Sequence, residues 1–106
     1  LLYLQPDSPA SARLVDAMRT WNLTGLDRLI VIVGGRRTAA AAFAAREPVL
    51  PGIHWLVDPE RTAWTDLKLT GVPTVIGARD GVIEWRLAGV LNDPEVMRSV
   101  LVSWLQ

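Results

Sequence analysis

Cysteine is absent from this chain. With it go disulfides, thiolate metal sites and thiol chemistry in the molecule as it stands. The same absence leaves the redox character of its compartment unreadable. An excess of charge of either sign is also lacking: eleven basic and eleven acidic residues cancel. That balance gives no support to nucleic-acid binding, which needs a basic face to neutralise phosphates. No apolar run approaches the roughly 18 residues that a spanning helix requires. Histidine occurs once, as His54. A single histidine without cysteines or clustered carboxylates makes a poor metal site, so neither a metal nor a cofactor is expected. The chain has no signal peptide at its start and no initiator methionine. It opens on Leu1-Leu2-Tyr3-Leu4, already a strand, and reads as a mature, trimmed or excised piece of something longer, with a possible anchor upstream.

What is present fits one ordinary domain, residues 1–106, of which half are hydrophobic. No repeat, low-complexity tract or linker interrupts it. Leu1 to Gln5 is a short apolar run bounded by Pro6, a plausible buried strand. Ser8 is a good N-cap and Pro9 suits the first helical position. Leu14, Met18 and Trp21 then recur at helical spacing, and this helix should end near Asn22, with a turn at Thr24-Gly25. Leu29 to Val33 is apolar without alternation, as a central parallel strand covered on both faces should be. Gly34-Gly35 stops it, and Thr38 can cap an alanine-rich helix through about Arg46. Pro48 and Pro51-Gly52 mark the next break, and Ile53 to Val57 is a third strand.

Asp58-Pro59-Glu60 repeats the start signal of cap, proline and first-turn acid, and predicts a helix through Leu69 carrying Ala63, Trp64 and Leu67. At Thr70-Gly71-Val72-Pro73-Thr74 the chain turns out of that helix, with Gly71 able to supply a left-handed backbone, into a strand reaching about Ala78. Proline gives no N–H to a ladder and so belongs at a strand's start. Arg79-Asp80-Gly81 signals a hairpin, with Val82 to Leu87 as the returning strand, ended by Gly89. Asp93-Pro94-Glu95 starts a last helix whose apolar face is Val96, Met97, Val100, Leu101, Trp104 and Leu105. The order is βαβαβα, a proline turn, a β-hairpin and a helix, and the first half implies parallel strands joined by right-handed crossovers.

Other residues invite functional readings and yield blander ones. Gly34-Gly35-Arg36-Arg37, between a strand and a helix, could hold a phosphate or carboxylate. Its glycine spacing is neither a P-loop nor a dinucleotide fingerprint, so a solvated turn is the better reading. His54 reads as a satisfied, partly buried side chain. Five tryptophans are many for this length. Trp64, Trp85 and Trp104 most simply fill core or edge, whereas an exposed Trp21 or Trp55 would point to a partner surface.

The layout resembles the thioredoxin fold. The residues carrying the resemblance are Gly71-Val72-Pro73-Thr74 and its strand, Asp80-Gly81, the strand Val82 to Leu87, Gly89 and the amphipathic end helix. Leu1-Leu2-Tyr3-Leu4-Gln5-Pro6-Asp7-Ser8-Pro9-Ala10-Ser11 is similar to the strand–loop–helix entry of the TlpA and MauD types of bacterial thiol–disulfide oxidoreductase. The resemblance implies a three-layer α/β/α domain with a mixed sheet, and a cis Val72-Pro73 bond facing the redox motif. It further implies a protein or peptide thiol/disulfide partner bound in a groove formed by Pro9, Ala10, Val72 and Pro73, and a periplasmic or other extracytoplasmic location. Where that family has Cys-Pro-x-Cys, this chain has Ser8-Pro9-Ala10-Ser11. In a cysteine-bearing relative, position 8 would supply the attacking thiolate and position 11 the resolving thiol.

That departure removes the chemistry. A thiol at a helix N-terminus has its pKa drawn from about 8.5 to between about 3.5 and 7.5, because the dipole and free N–H groups favour an anion. A serine hydroxyl starts far less acidic and stays protonated there, and two serines cannot store an electron pair in a bond. The domain as written should therefore neither reduce nor oxidise a disulfide. The cap rule alone explains Ser8. A serine nucleophile would need a base, and His54 falls on a strand remote from the loop. Two histories fit the serine pair: an engineered double Cys→Ser change, or natural loss of the redox pair. The alternative is a non-catalytic structural or interaction domain of a larger protein. A peroxiredoxin-like reading lacks its peroxidatic cysteine.

Overall fold

The structure, a computed structural model, describes residues 1–21, 25–45, 52–87 and 94–105. The features predicted at Asn22, Thr24, Arg46, Pro48, Pro51, Gly89 and Asp93 lie outside those residues. Within them the chain forms β1 (Leu2–Leu4), α1 (Pro9–Thr20), a 3-10 turn (Leu26–Arg28), β2 (Ile30–Gly34) and α2 (Arg37–Ala45). There follow β3 (His54–Asp58), α3 (Thr62–Asp66), β4 (Thr74–Arg79), β5 (Val82–Leu87) and α4 (Pro94–Leu105). This is an α/β fold with one five-stranded mixed sheet in the order β3-β2-β1-β4-β5. β1 is parallel to β2 and β2 to β3, while β4 is antiparallel to both β1 and β5.

Alternation along the strands sends side chains to two faces. Leu2, Leu4, Val31, Val33 and Val75 pack with Leu14, Val15 and Met18 of α1, Ala40 and Phe43 of α2, and Met97, Leu101 and Leu105 of α4. Two βαβ units step the same way across the sheet, and crossovers of one hand, as the general rule expects, put their helices on one face, where α1 and α2 both pack. Tyr3, Ile32, Leu69 and Ile76 point the other way and are covered by Ala63, Trp64 and Leu67. Beyond β4, Asp80 and Gly81 carry φ of 53° and 78°, the pair of positive values that a two-residue hairpin turn of the I′ kind demands.

Several boundaries differ from the sequence reading. The Leu29–Val33 run is internal and parallel to both neighbours, but the middle of the sheet belongs to β1, and Ile30 is exposed. β3 is an edge strand, which leaves His54 exposed rather than partly buried. Helix α2 begins at Arg37, so Thr38 lies inside it instead of capping it. Helix α3 is only five residues, Thr62–Asp66, and stops short of Leu69 because Lys68 turns left-handed at φ 54°; Gly71 does not take that role. Val96 is exposed, since α4 turns Met97, Leu101 and Leu105 to the core. Trp21 and Trp55 are partly buried against the core, so neither presents the exposed ring that would mark a partner surface.

Candidate functional site

The sequence-predicted residues sit at one end of the sheet. β1 runs into the turn Gln5–Ser8, closed by the Ser8 N–H donating to the Gln5 carbonyl at 3.1 Å. Ser8 is the N-cap of α1 and Pro9 stands at its first position, as the local rules require. The Ser8 Oγ accepts the Ser11 N–H at 3.2 Å. The Ser11 side chain is fully buried, and its Oγ accepts the Gln5 N–H at 3.2 Å. Ala10 is half-buried and Pro9 exposed. The two hydroxyls thus hold the turn and the first helical turn in one closed set of hydrogen bonds.

β4 arrives at the same place. Val72-Pro73 is cis, Pro73 is buried and Val72 half-buried. The Thr74 Oγ1 donates to the Gly71 carbonyl at 2.5 Å and fixes the turn before the strand. The β1–β4 register pairs Leu2 with Val75 and Tyr3 with Thr74. Continued by one residue, it sets Pro73 opposite Leu4, four residues before Ser8. A proline at that first position deprives the ladder of nothing. The strand order also reverses between β1 and β4, and ligands of open α/β sheets bind at such a reversal, beyond the carboxyl end of the strand. Ser8, Ser11, Val72 and Pro73 all lie at that end.

His54 does not. β1, β2 and β3 run the same way, and His54 pairs with Ile30 at their amino ends, about 13 Å along β3 from its carboxyl end. Ser8 therefore has no histidine base. Among the described residues, no three His, Asp or Glu side chains are grouped to hold a metal ion, and no helix is long and apolar enough to cross a membrane.

The structure adds two residues that the sequence reading did not select as site residues. The Tyr3 hydroxyl reaches across Gly34 of β2 and donates to the Asp58 Oδ2 at 2.7 Å, within the buried interior. A Cβ on Gly34 would lie 2.5 Å from that hydroxyl, so only glycine leaves it room. Asp58 also accepts the backbone N–H groups of Ala63 at 3.2 Å and Trp64 at 3.1 Å. It therefore caps α3 from outside it. The position next to the helix is Arg61, left-handed at φ 59° and without a side-chain cap bond. Pro59 and Glu60 belong to the intervening turn, not to the first helical turn. The ring of Tyr3 meets Trp64 edge-on at 5.6 Å, and the Arg61 guanidinium stands over the Trp64 ring, 4.7 Å from its centroid.

Electrostatics follow the geometry. Burial pushes the Tyr3 hydroxyl well above its usual pKa, and the hydrogen bond to Asp58 and that carboxylate's charge push it further, against a small opposing pull from Arg61. Burial would raise Asp58, but the Tyr3 hydroxyl and the Trp64, Ala63 and Thr62 N–H groups outweigh it and hold the carboxyl below its ordinary range. The pair is a neutral phenol donating to a carboxylate. A lone aspartate followed by proline at the end of an apolar run, and a lone tyrosine in a run of leucines, were the only signals available for it.

Comparison of the chain with protein-family models, with curated proteins and with solved structures returned no match.

Proposed function

We propose that this chain is a thioredoxin-like domain of the TlpA/MauD thiol–disulfide oxidoreductase class, inert in dithiol exchange because Ser8 and Ser11 stand at the two thiol positions. The observation that supports the reading is that the α1 N-cap follows the carboxyl end of β1 and the cis Val72-Pro73 bond precedes the paired start of β4, so both belong to the same end of these two neighbouring strands, where the strand order reverses. The placement of α1 and α4 on one face and α3 on the other supports it. In this reading an extended segment of a protein partner lies beside Val72 and Pro73 and pairs with the backbone by strand addition. Ser8 and Ser11 supply shape and hydrogen bonds but no electrons. An extracytoplasmic location goes with the resemblance.

Restoring both sulfurs tests it. S8C/S11C, verified as folded by circular dichroism, should form an internal disulfide and accelerate the reduction of insulin by dithiothreitol, while the parent chain stays silent. A folded double variant that forms the disulfide only sluggishly and leaves insulin untouched refutes the proposal. That outcome would favour the second reading, a purely structural or interaction domain. One observation speaks for it: edge strand β3 carries no lysine, proline or bulge to blunt it and leaves Leu56 53% exposed.

A further inference from the structure

Among the described residues, no strand pairs with the outer side of β3. The His54 N–H donates inward, to the Leu29 carbonyl at 3.1 Å. Backbone direction alternates along a paired strand. His54, Leu56 and Asp58 therefore turn their N–H and C=O groups to β2, while Trp55 and Val57 turn theirs outward. Side chains alternate as well. Leu56 is in register with Ile32 and so shares the face that carries Tyr3 and Trp64. It is exposed there, as is Ile30, which is in register with His54. Trp55 and Val57, in register with Val31 and Val33, stand on the opposite face.

An unprotected edge of this kind is a template for another strand, and β3 is complementary to itself. Leu56 is its midpoint, so a second copy turned about a two-fold axis at Leu56 sets the whole of His54–Asp58 antiparallel to itself. Trp55 then faces Val57 of the other copy, and these two, whose backbone groups already point outward, exchange both N–H···O bonds. Their side chains form an aromatic and β-branched cross-strand pair, a favourable kind. Leu56 meets Leu56 in the non-hydrogen-bonded position, where side chains come closest. The one carboxylate of the strand, Asp58, faces His54 rather than its own copy. Pro59, which has no N–H to donate, falls outside the ladder. The eleven basic and eleven acidic residues of the chain cancel, so two copies approach without net repulsion. We propose that this chain self-associates through β3, in a two-fold antiparallel pairing centred on Leu56 that joins two sheets into one. So short an edge makes an interface of the small, transient class, below about 1,200 Å², and the dimer is weak and reversible. β2 separates β3 from β1, so the pairing does not depend on the function of the α1 end.

Sedimentation equilibrium from micromolar to millimolar protein tests the proposal. The average mass of the parent should climb from one chain toward two. L56K, a change at an exposed side chain, sets like charges opposite each other at the axis. It should stay at one chain mass with a folded circular dichroism spectrum. Cross-linking decides the matter should L56K fail to fold. In a non-hydrogen-bonded pair the Cα atoms lie about 4.5 Å apart, inside the window for a disulfide. L56C, in a chain with no other cysteine, should couple to its own copy on diamide oxidation about tenfold or more faster than V82C, through the raised effective concentration. Val82 is an exposed position on the opposite outer strand. A parent that stays at one chain mass throughout overturns the proposal and leaves the edge to an extended segment of another protein. So does a folded L56K that associates as the parent does, or L56C that couples no faster than V82C.

Discussion

Replacing Tyr3 by phenylalanine removes one oxygen and, with it, the 2.7 Å hydrogen bond to Asp58. Ring, packing and backbone are otherwise kept. A hydrogen bond to an ionised group is worth about 1.5–3 kcal/mol. Asp58 would retain the Ala63 and Trp64 N–H groups, so its carboxylate is not stranded and the lower half of that range applies, about 2 kcal/mol. Against a urea slope of about 1–3 kcal/mol per molar for a domain of this size, the midpoint should fall by roughly 1 M. The pH dependence is more diagnostic than the size. Asp58's folded pKa is lowered, so its contribution is complete above about pH 4, the unfolded value, and is lost as pH falls through the folded value. Tyr3's is raised, so its contribution is complete below about pH 10 and is lost as pH rises through the folded value. The Tyr3→Phe deficit should therefore be flat from about pH 5 to pH 9 and shrink on both sides. Urea unfolding followed by tryptophan fluorescence across pH 3–11 reads it. A deficit below about 0.5 kcal/mol at neutral pH, within the ordinary range of surface changes, or one indifferent to pH, would refute the assignment of a buried phenol–carboxylate pair.

Gly34→Ala should destabilise by about 1–3 kcal/mol through overpacking, because the new Cβ meets the Tyr3 hydroxyl at 2.5 Å. In the Tyr3→Phe background the closest atom is gone and the cost should drop, and a double-mutant cycle in urea measures that coupling. Ser8→Ala should cost about 1 kcal/mol by loss of the α1 cap, while Ser8→Asp should hold or improve stability because it keeps an acceptor and adds a favourable charge at the N-terminus. Equal urea midpoints for parent and Ser8→Ala would show that the cap bond contributes nothing.

The features legible in the sequence were those whose causes are local. Ser8 and Pro9 act within one helical turn, and Asp80-Gly81 acts within one hairpin, so their neighbours alone specify them. The alternating destinations of Leu2, Tyr3 and Leu4 could not be read from a run of four apolar residues, since only the helices on each face decide them. Asp58 was legible as a cap but not as this cap, because it reaches α3 across a turn and its other partner is 55 residues away in the chain. The same holds for Trp85 and Trp104, whose contact depends on how α4 lies on β5. The grouping of Ser8 and Ser11 with Pro73 comes from the resemblance alone, from which the serine pair departs visibly; the β1–β4 register adds that the start of β4 lies at the carboxyl end of β1.

Gly34 and Gly77 each sit inside a strand and serve as the floor under an aromatic side chain from a neighbouring strand, Tyr3 in one case and Trp85 in the other. Neither glycine is free to gain a side chain by itself. In any lineage sharing this architecture, a side chain appearing at position 34 should be accompanied by loss of the tyrosine at 3, and one at 77 by a smaller residue at 85. An alignment of true descendants would then reveal two correlated columns, legible without any coordinates.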